Sequence, residues 1–186
     1  MALEDVTKRY SNEAIALHWL TAVLILANLA LGLSMVDLPL SPRKLQWYFI
    51  HKSIGVTVFL LTSLRILWRL YRPAPPQVPM PAWQHRTAVT THVLLYVLLF
   101  AIPISGWVYS SATGVQVVYL HLPLPDLVPK DKALAAVLLI VHQTLNFTLF
   151  ALVCLHAAGA LVHHFRQRDL VLWRMLPIAR LRTDSK

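Results

Sequence analysis

The chain has 186 residues, of which 57% are hydrophobic and only 13% are charged. A soluble domain carries about 25% charged residues, so the composition indicates an integral membrane protein. The net charge of +9 fits basic loops at a membrane surface, and nucleic acid is not expected as a partner. The single cysteine, Cys154, excludes an intrachain disulfide framework and a cysteine-held iron–sulfur cluster, and the absence of C-x-x-C-H excludes covalently attached c-type haem.

The first half of the chain predicts two membrane helices followed by a stiff connector. Residues 14–36 carry no charge, and this stretch is too long for the apolar core of a signal peptide, so we expect a retained first helix. Ser41-Pro42 signals the start of a second helix that extends over about residues 45–70. The five prolines of residues 72–83 then forbid a continuous helix and predict an extended connector.

The second half predicts two more membrane helices and a basic tail. The third helix is expected over residues 87–110, with Pro103 inside it, and the loop 111–132 follows. The fourth helix, 133–164, begins with thirty residues that carry no formal charge, which is enough to span a bilayer. The tail 165–186 mixes basic and apolar residues, and its first half is predicted to form an amphipathic interfacial helix.

The expected fold is therefore an all-α membrane protein, a single-domain bundle of four transmembrane helices. Four spans put both termini on one side, and the basic residues decide which side that is. The side of the termini holds twelve of them: Lys8, Arg9, Arg65, Arg69, Arg72, Arg86, Arg166, Arg168, Arg174, Arg180, Arg182 and Lys186. The other side holds five: Arg43, Lys44, Lys52, Lys130 and Lys132. Both termini are thus predicted to be cytoplasmic.

Histidine is the unusual residue type, with nine in the chain. His142 and His156 are fourteen residues apart, which brings them to within about 40° on one face of the fourth helix, about 21 Å apart along its axis. The predicted topology places His142 and His51 toward the outer side. It places His156 and His18 toward the cytoplasmic side. Two pairs at matched depth follow, His51 with His142 and His18 with His156.

Paired imidazoles inside a helix bundle suit the two axial positions of a b-type haem iron. With both positions filled, electron transfer is favoured over dioxygen binding. Three alternatives remain open. Each histidine could be a hydrogen-bonded polar residue; zinc could be bound, although it prefers four close ligands; and His92, near the inner side of the third helix, could compete with His18 or His156 as a ligand.

Other polar residues near the two ends of the predicted bundle have two possible roles each. His163 returns to nearly the same face as His156 and could bond a haem propionate or a quinone carbonyl. Arg65, Arg69 and Arg86 could pair with haem propionates or anchor the helix ends in the interface. Lys52 and its basic neighbours could draw a small anion to the outer haem or attract lipid headgroups. Of the remaining histidines, two are expected to be solvated in loops and one to point away from the pairs: His85, His121 and His164.

Short sequence motifs run through nearly the whole chain in a familiar order. They are Ala16-Leu17-His18-Trp19, His51-Lys52-Ser53-Ile54-Gly55, Arg65-x-x-x-Arg69-Leu70, Pro73-x-Pro75-Pro76, His92, Tyr96, Pro103-x-x-Gly106, Leu155-His156-Ala157-Ala158, His163-His164 and Leu172-x-Arg174-Met175-x-Pro177. In this the chain resembles the bacterial cytochrome b561 family of four-helix di-haem cytochromes of the inner membrane. The resemblance implies two haem b groups with the axial ligands His18, His51, His142 and His156.

The resemblance also implies a function. One branch of the family takes electrons from superoxide at the periplasmic face and reduces ubiquinone in the membrane, and the length and tail favour this stand-alone branch. Related members are cytochrome b subunits that anchor hydrogenases or other dehydrogenases and pass electrons to quinone. A transporter or scaffold with polar histidines is the non-redox alternative. The expected partners are membrane lipid, quinone, and superoxide or a redox partner protein.

Overall fold

The computed structural model describes residues 8–177, and helices dominate this part of the chain. The four long helices are α1 (Asn12–Val36), α2 (Pro42–Tyr71), α3 (Ala82–Thr113) and α4 (Lys132–Val162). A π-helical turn, His163–Gln167, continues α4. All four helices are long and apolar enough to cross a membrane. The predicted all-α, four-span fold is therefore confirmed, with helix ends shifted by a few residues.

Polar side chains fix where three of the helices begin. Ser11 and Ser41 each accept a hydrogen bond of 3.3 Å from the backbone N–H three residues later. Asp131 caps α4 by accepting from two N–H groups at 2.8 and 3.1 Å. These caps satisfy donors that have no partner within the helix. Pro42 follows Ser41 in the first turn of α2, as the sequence predicted.

The helices pack in sequence order, α1 on α2, α2 on α3 and α3 on α4. Their buried core lies at mid-height and consists of Val58, Leu98, Leu99 and Leu149. Most other large apolar side chains point outward, because the hydrocarbon of a bilayer takes the place of an interior for them. The core thus lies between the two predicted histidine levels, since Leu149 is seven residues from both His142 and His156.

A small antiparallel hairpin lies in the loop between α3 and α4. Its strands are β1 (Val118–Tyr119) and β2 (Leu122–Pro123). The two turn residues, Leu120 and His121, have φ values of 50° and 66°, as the tightest hairpin turns require. The sequence did not predict this turn, because Leu120-His121 is not one of the Asn-Gly, Asp-Gly or Gly-Gly pairs that mark such turns. The Tyr119 hydroxyl lies 3.3 Å from the Thr57 hydroxyl and ties the hairpin to α2.

The tail departs from its prediction. The prediction of an amphipathic helix in the first half of residues 165–186 is wrong. The π-helical turn ends at Gln167, and Arg168 turns the chain at φ 54°. Only a short 3₁₀ helix, Trp173–Met175, follows. The second half of the tail, from residue 178, lies outside the described residues. The physical reason is a set of contacts that bring the tail back under the bundle.

Those contacts join the tail to the start of the chain. The N–H of Tyr10 donates to the Arg174 carbonyl at 3.3 Å, and Nε of Arg174 donates to the Lys8 carbonyl at 2.7 Å. Nε1 of Trp19 donates to the Met175 carbonyl at 2.8 Å. Arg174 is consequently only 5% exposed. The two terminal segments therefore meet at one end of the bundle, as four spans require.

The end of α3 offers a test of backbone conformation. Gly114 caps this helix at φ 74°, where a side chain costs about 1–2 kcal/mol, and a Cβ there would lie 2.9 Å from Cδ of Lys130. We expect Gly114→Ala to lower the thermal unfolding midpoint of the detergent-purified protein. Gly159→Ala is the control, because nothing lies within 4 Å of its Cβ and alanine favours a helix. Equal midpoints for both variants would contradict the expectation.

Candidate functional site

The outer site is formed by two facing imidazoles on α2 and α4. The ring centroids of His51 and His142 lie 6.2 Å apart. Nδ1 of His51 is 3.2 Å from the Asn28 carbonyl oxygen, and Nδ1 of His142 is 2.9 Å from the Ser105 hydroxyl. An Nδ1–H that donates in this way fixes the ring and leaves Nε2 as the atom that can bind a metal.

Two glycines make room for these rings. A Cβ on Gly32 would lie 3.0 Å from Cε1 of His51, and one on Gly106 would lie 2.9 Å from Cε1 of His142. Gly55, on the same helix as His51, does not have this role. A Cβ on Gly55 would meet only the Asn28 side chain, at 4.0 Å. The glycines that matter face the histidines from neighbouring helices, so spacing along one helix does not reveal them.

A cavity of about 340 Å³ opens beside the outer pair. Both imidazoles line it, together with Asn28, Lys52 and mostly apolar side chains from all four helices. An apolar pocket with a few convergent polar groups is typical of a cofactor site. The outer site therefore combines two metal-binding nitrogens with a pocket that suits a large, mostly apolar group.

The inner site contains three imidazoles rather than two. The ring centroids of His18 and His156 lie 6.1 Å apart, and those of His92 and His156 lie 5.2 Å apart. Nη2 of Arg65 lies 3.2 Å from Nδ1 of His18, and the Arg65 guanidinium lies over the Tyr96 ring, 5.5 Å from its centroid. The inner imidazoles are thus placed among α1, α3 and α4 with a cation from α2 beside them.

The ring separations can be compared with those that a shared metal ion requires. A metal–imidazole bond is about 2.0–2.1 Å, so two rings on opposite sides of one ion have centroids about 6 Å apart. The 6.2 Å and 6.1 Å pairs fit this geometry, whereas the 5.2 Å separation of His92 and His156 is too short for it. Within residues 8–177 no group of three or more His, Cys, Asp or Glu side chains could hold a metal ion.

The other residues predicted for the site are distributed over both ends. Nζ of Lys52 donates to the Val115 carbonyl at 3.1 Å, at the outer end. Arg65 and Arg69 line a small pocket at the inner end. Nδ1 of His163 lies 2.5 Å from Oδ2 of Asp169. This aspartate was missed by sequence reasoning, because it belongs to a tail that was expected to run along the membrane.

The remaining histidines lie apart from the pairs. His121 is exposed in the hairpin turn, as expected for a loop. His85 is exposed as well, but the loop predicted for it is wrong, because α3 begins at Ala82 and includes it. His164 points away from the pairs and packs its ring against Phe165 and Trp173, with centroids 4.8 and 5.7 Å away. Arg86 is exposed at the start of α3.

The structure has four apolar helices and pairs of facing imidazoles at two levels. This architecture is that of a membrane electron-transfer protein. Comparison with known proteins identifies the family. A family model described as prokaryotic cytochrome b561 matches residues 9–177. The chain therefore belongs to the prokaryotic cytochrome b561 family, which implies haem b binding, transmembrane electron transfer and a multi-pass location in the bacterial inner membrane.

Several relatives match over nearly their full length. Cytochrome b561 homolog 2 of Escherichia coli (strain K12) is 34% identical over 184 residues, covering 95% of each chain. Cytochrome b561 homolog 1 of the same organism is 28% identical over 175 residues, covering 91% of this chain and 97% of the relative. A protein of Yersinia pestis named probable superoxide oxidase CybB is 33% identical over 174 residues, covering 91% of this chain and 97% of the relative.

The close approach of Gly106 to His142 leads to a prediction about haem content. Gly106→Ala adds a methyl group 2.9 Å from the imidazole, and such overpacking costs about 1–3 kcal/mol. We expect less haem b per chain in the purified variant, measured by its absorption spectrum and by haem quantitation. Gly55→Ala, whose methyl group meets only a contact at 4.0 Å, is the control and should keep the wild-type haem content. Full haem content in Gly106→Ala would contradict the prediction.

Proposed function

We propose that this protein carries electrons across the membrane through two haem b groups. His51 and His142 would be the axial ligands of the outer haem, and His18 and His156 those of the inner haem. The observation that carries the proposal is the spacing of the two ring pairs, 6.2 and 6.1 Å. Haem would supply the one-electron chemistry when it is bound, and a haem held by two imidazoles would favour electron transfer over dioxygen binding.

The chain's own residues would orient and insulate these groups. The Asn28 carbonyl and the Ser105 hydroxyl hold the outer rings through Nδ1. Between the two levels, the apolar core of Val58, Leu98, Leu99 and Leu149 keeps water out of the middle of the bundle. Nothing in this arrangement requires a side chain to act as acid or base at the outer site.

We further propose superoxide as the electron donor and ubiquinone as the acceptor. The outer end carries Lys52 beside His51, and five basic residues lie on this side by the predicted topology. Such a surface attracts a small anion. Each superoxide ion would lose one electron to become dioxygen, and two electrons would reduce one quinone. The 33% identity to a protein named probable superoxide oxidase supports this assignment.

The inner end is the proposed place of quinone reduction. His163 lies seven residues beyond His156, toward the inner surface. Arg65 and Arg69 line a pocket at this end and are proposed to pair with haem propionates. The electrons would therefore enter at one face and leave near the other.

Haem stoichiometry tests the ligand assignment. We expect two low-spin haem b groups per wild-type chain, and His51→Ala and His156→Ala should each lose about one of them, because an iron that lacks one axial imidazole is held weakly. His85→Ala removes an exposed histidine in the first turn of α3 and should retain both. Absorption spectra with haem quantitation give the measurement. Full low-spin haem in both ligand variants would show that the assignment is wrong.

The donor is tested with a superoxide source and purified protein. Superoxide should reduce the haem, and added ubiquinone should reoxidise it. Lys52→Met should slow haem reduction severalfold, with a difference that shrinks as salt is raised, because exposed charges are screened. Arg166→Met, an exposed cation at the opposite end, is the control. Absence of reduction by superoxide, together with co-purification of a dehydrogenase, would favour the alternative role as an electron-transfer subunit.

A further inference from the structure

A histidine–aspartate pair joins the end of α4 to the returning tail. Nδ1 of His163 lies 2.5 Å from Oδ2 of Asp169, and the two side chains are only 13% and 19% exposed. Among residues 8–177 it is the one contact between a basic side chain and a carboxylate that is close enough to be an ion pair. A partly shielded contact of this length is stronger than a solvated surface pair. The pair therefore has a defined geometry rather than a loose attraction.

The carboxylate of Asp169 is held from several sides. Its Oδ1 accepts from the N–H of Val171 at 2.9 Å, and the N–H of Asp169 donates to the His163 carbonyl at 3.2 Å. The turn between the two partners depends on Arg168, whose φ is 54°. These bonds fix both ends of the contact, so the His163 ring has a set orientation.

The segment that carries Asp169 is itself anchored beside the inner site. The Arg174 N–H donates to the Leu170 carbonyl at 3.0 Å, and Nε1 of Trp19 donates to the Met175 carbonyl at 2.8 Å. Trp19 follows His18 directly, and their ring centroids are 5.5 Å apart. The tail therefore holds the carboxylate in a fixed relation to the inner imidazoles, which a freely moving tail would not do.

The contact also determines which ring nitrogen of His163 is available. An Nδ1–H that donates to the carboxylate leaves Nε2 as the free nitrogen. A histidine held in this way is suited to give a proton from Nε2 and to take one back.

We propose that Asp169 is a positioning residue that holds His163 as the proton donor for quinone reduction at the inner end. This inference rests on the function proposed above. A quinone that accepts two electrons must also bind two protons. In each transfer the Nε2–H bond of His163 breaks, an O–H bond forms on the quinone oxygen, and the electron pair stays on Nε2. Water at the inner surface then returns a proton to Nε2, while Nδ1–H remains bonded to Asp169.

Asp169→Asn tests the proposal, because asparagine keeps the size of the side chain and removes its charge. The haem would be reduced chemically and then mixed rapidly with a water-soluble ubiquinone analogue, in H₂O and in D₂O. We expect the haem content to be unchanged. The maximal reoxidation rate should fall at least tenfold, because proton transfer by a positioned group contributes about 10²–10⁴-fold. The half-saturating quinone concentration should change less than threefold. The solvent isotope effect should rise, because proton transfer becomes rate-limiting.

Two further variants separate positioning from structure. Asp169→Glu restores a carboxylate and should recover part of the rate, and Asp37→Asn, a charge removal at the end of α1, should leave it unchanged. A wild-type rate and isotope effect in Asp169→Asn would overturn this inference but would leave the proposed function standing. If chemically reduced wild-type protein is not reoxidised by the quinone, the proposed function fails and this inference fails with it. Loss of haem from both Asp169 variants would show a structural role and would also overturn it.

Discussion

The structure depends on the cost of placing imidazoles inside a bilayer. A polar ring within hydrocarbon loses its bonds to water, and it is stable there only when another group replaces them. Each outer ring meets this requirement at Nδ1, through a backbone carbonyl for His51 and a hydroxyl for His142. The helix register, the two glycines beside the rings and the order of packing all serve to keep these partners within reach.

The two levels meet this requirement differently. The outer rings are bonded to neutral groups, whereas His18 has the Arg65 guanidinium at its Nδ1 and a third imidazole, His92, close to its partner. A cation and an additional polar ring make the inner level more polar than the outer one. The outer level has instead a larger apolar cavity. Two sites built from the same residue type thus offer different surroundings to whatever they bind.

Much of the fold was predictable because hydropathy and helical periodicity act locally. The lengths of the four spans, the cap formed by Ser41 and the proline-rich connector are all encoded within a few turns of sequence. The pairing of depths followed from helix geometry and loop charge. Other features depend on contacts between distant segments, and local patterns do not reveal them. The approach of Gly32 to His51, the return of the tail to Trp19 and the partnership of His163 with Asp169 are of this kind.

The apolar core between the histidine levels has a consequence for energetics across the bilayer. Val58, Leu98, Leu99 and Leu149 form an apolar buried core at mid-height. Their side chains offer no hydrogen-bonding group to carry a proton, so in the proposed function an electron crosses this core without one. Each crossing therefore moves net charge through the electric field of the membrane. In the proposed direction the electron moves toward the negative side of the membrane. A full crossing then costs a free energy of about 2.3 kcal/mol per 100 mV of membrane potential. The membrane potential would thus oppose turnover, and its collapse would accelerate it.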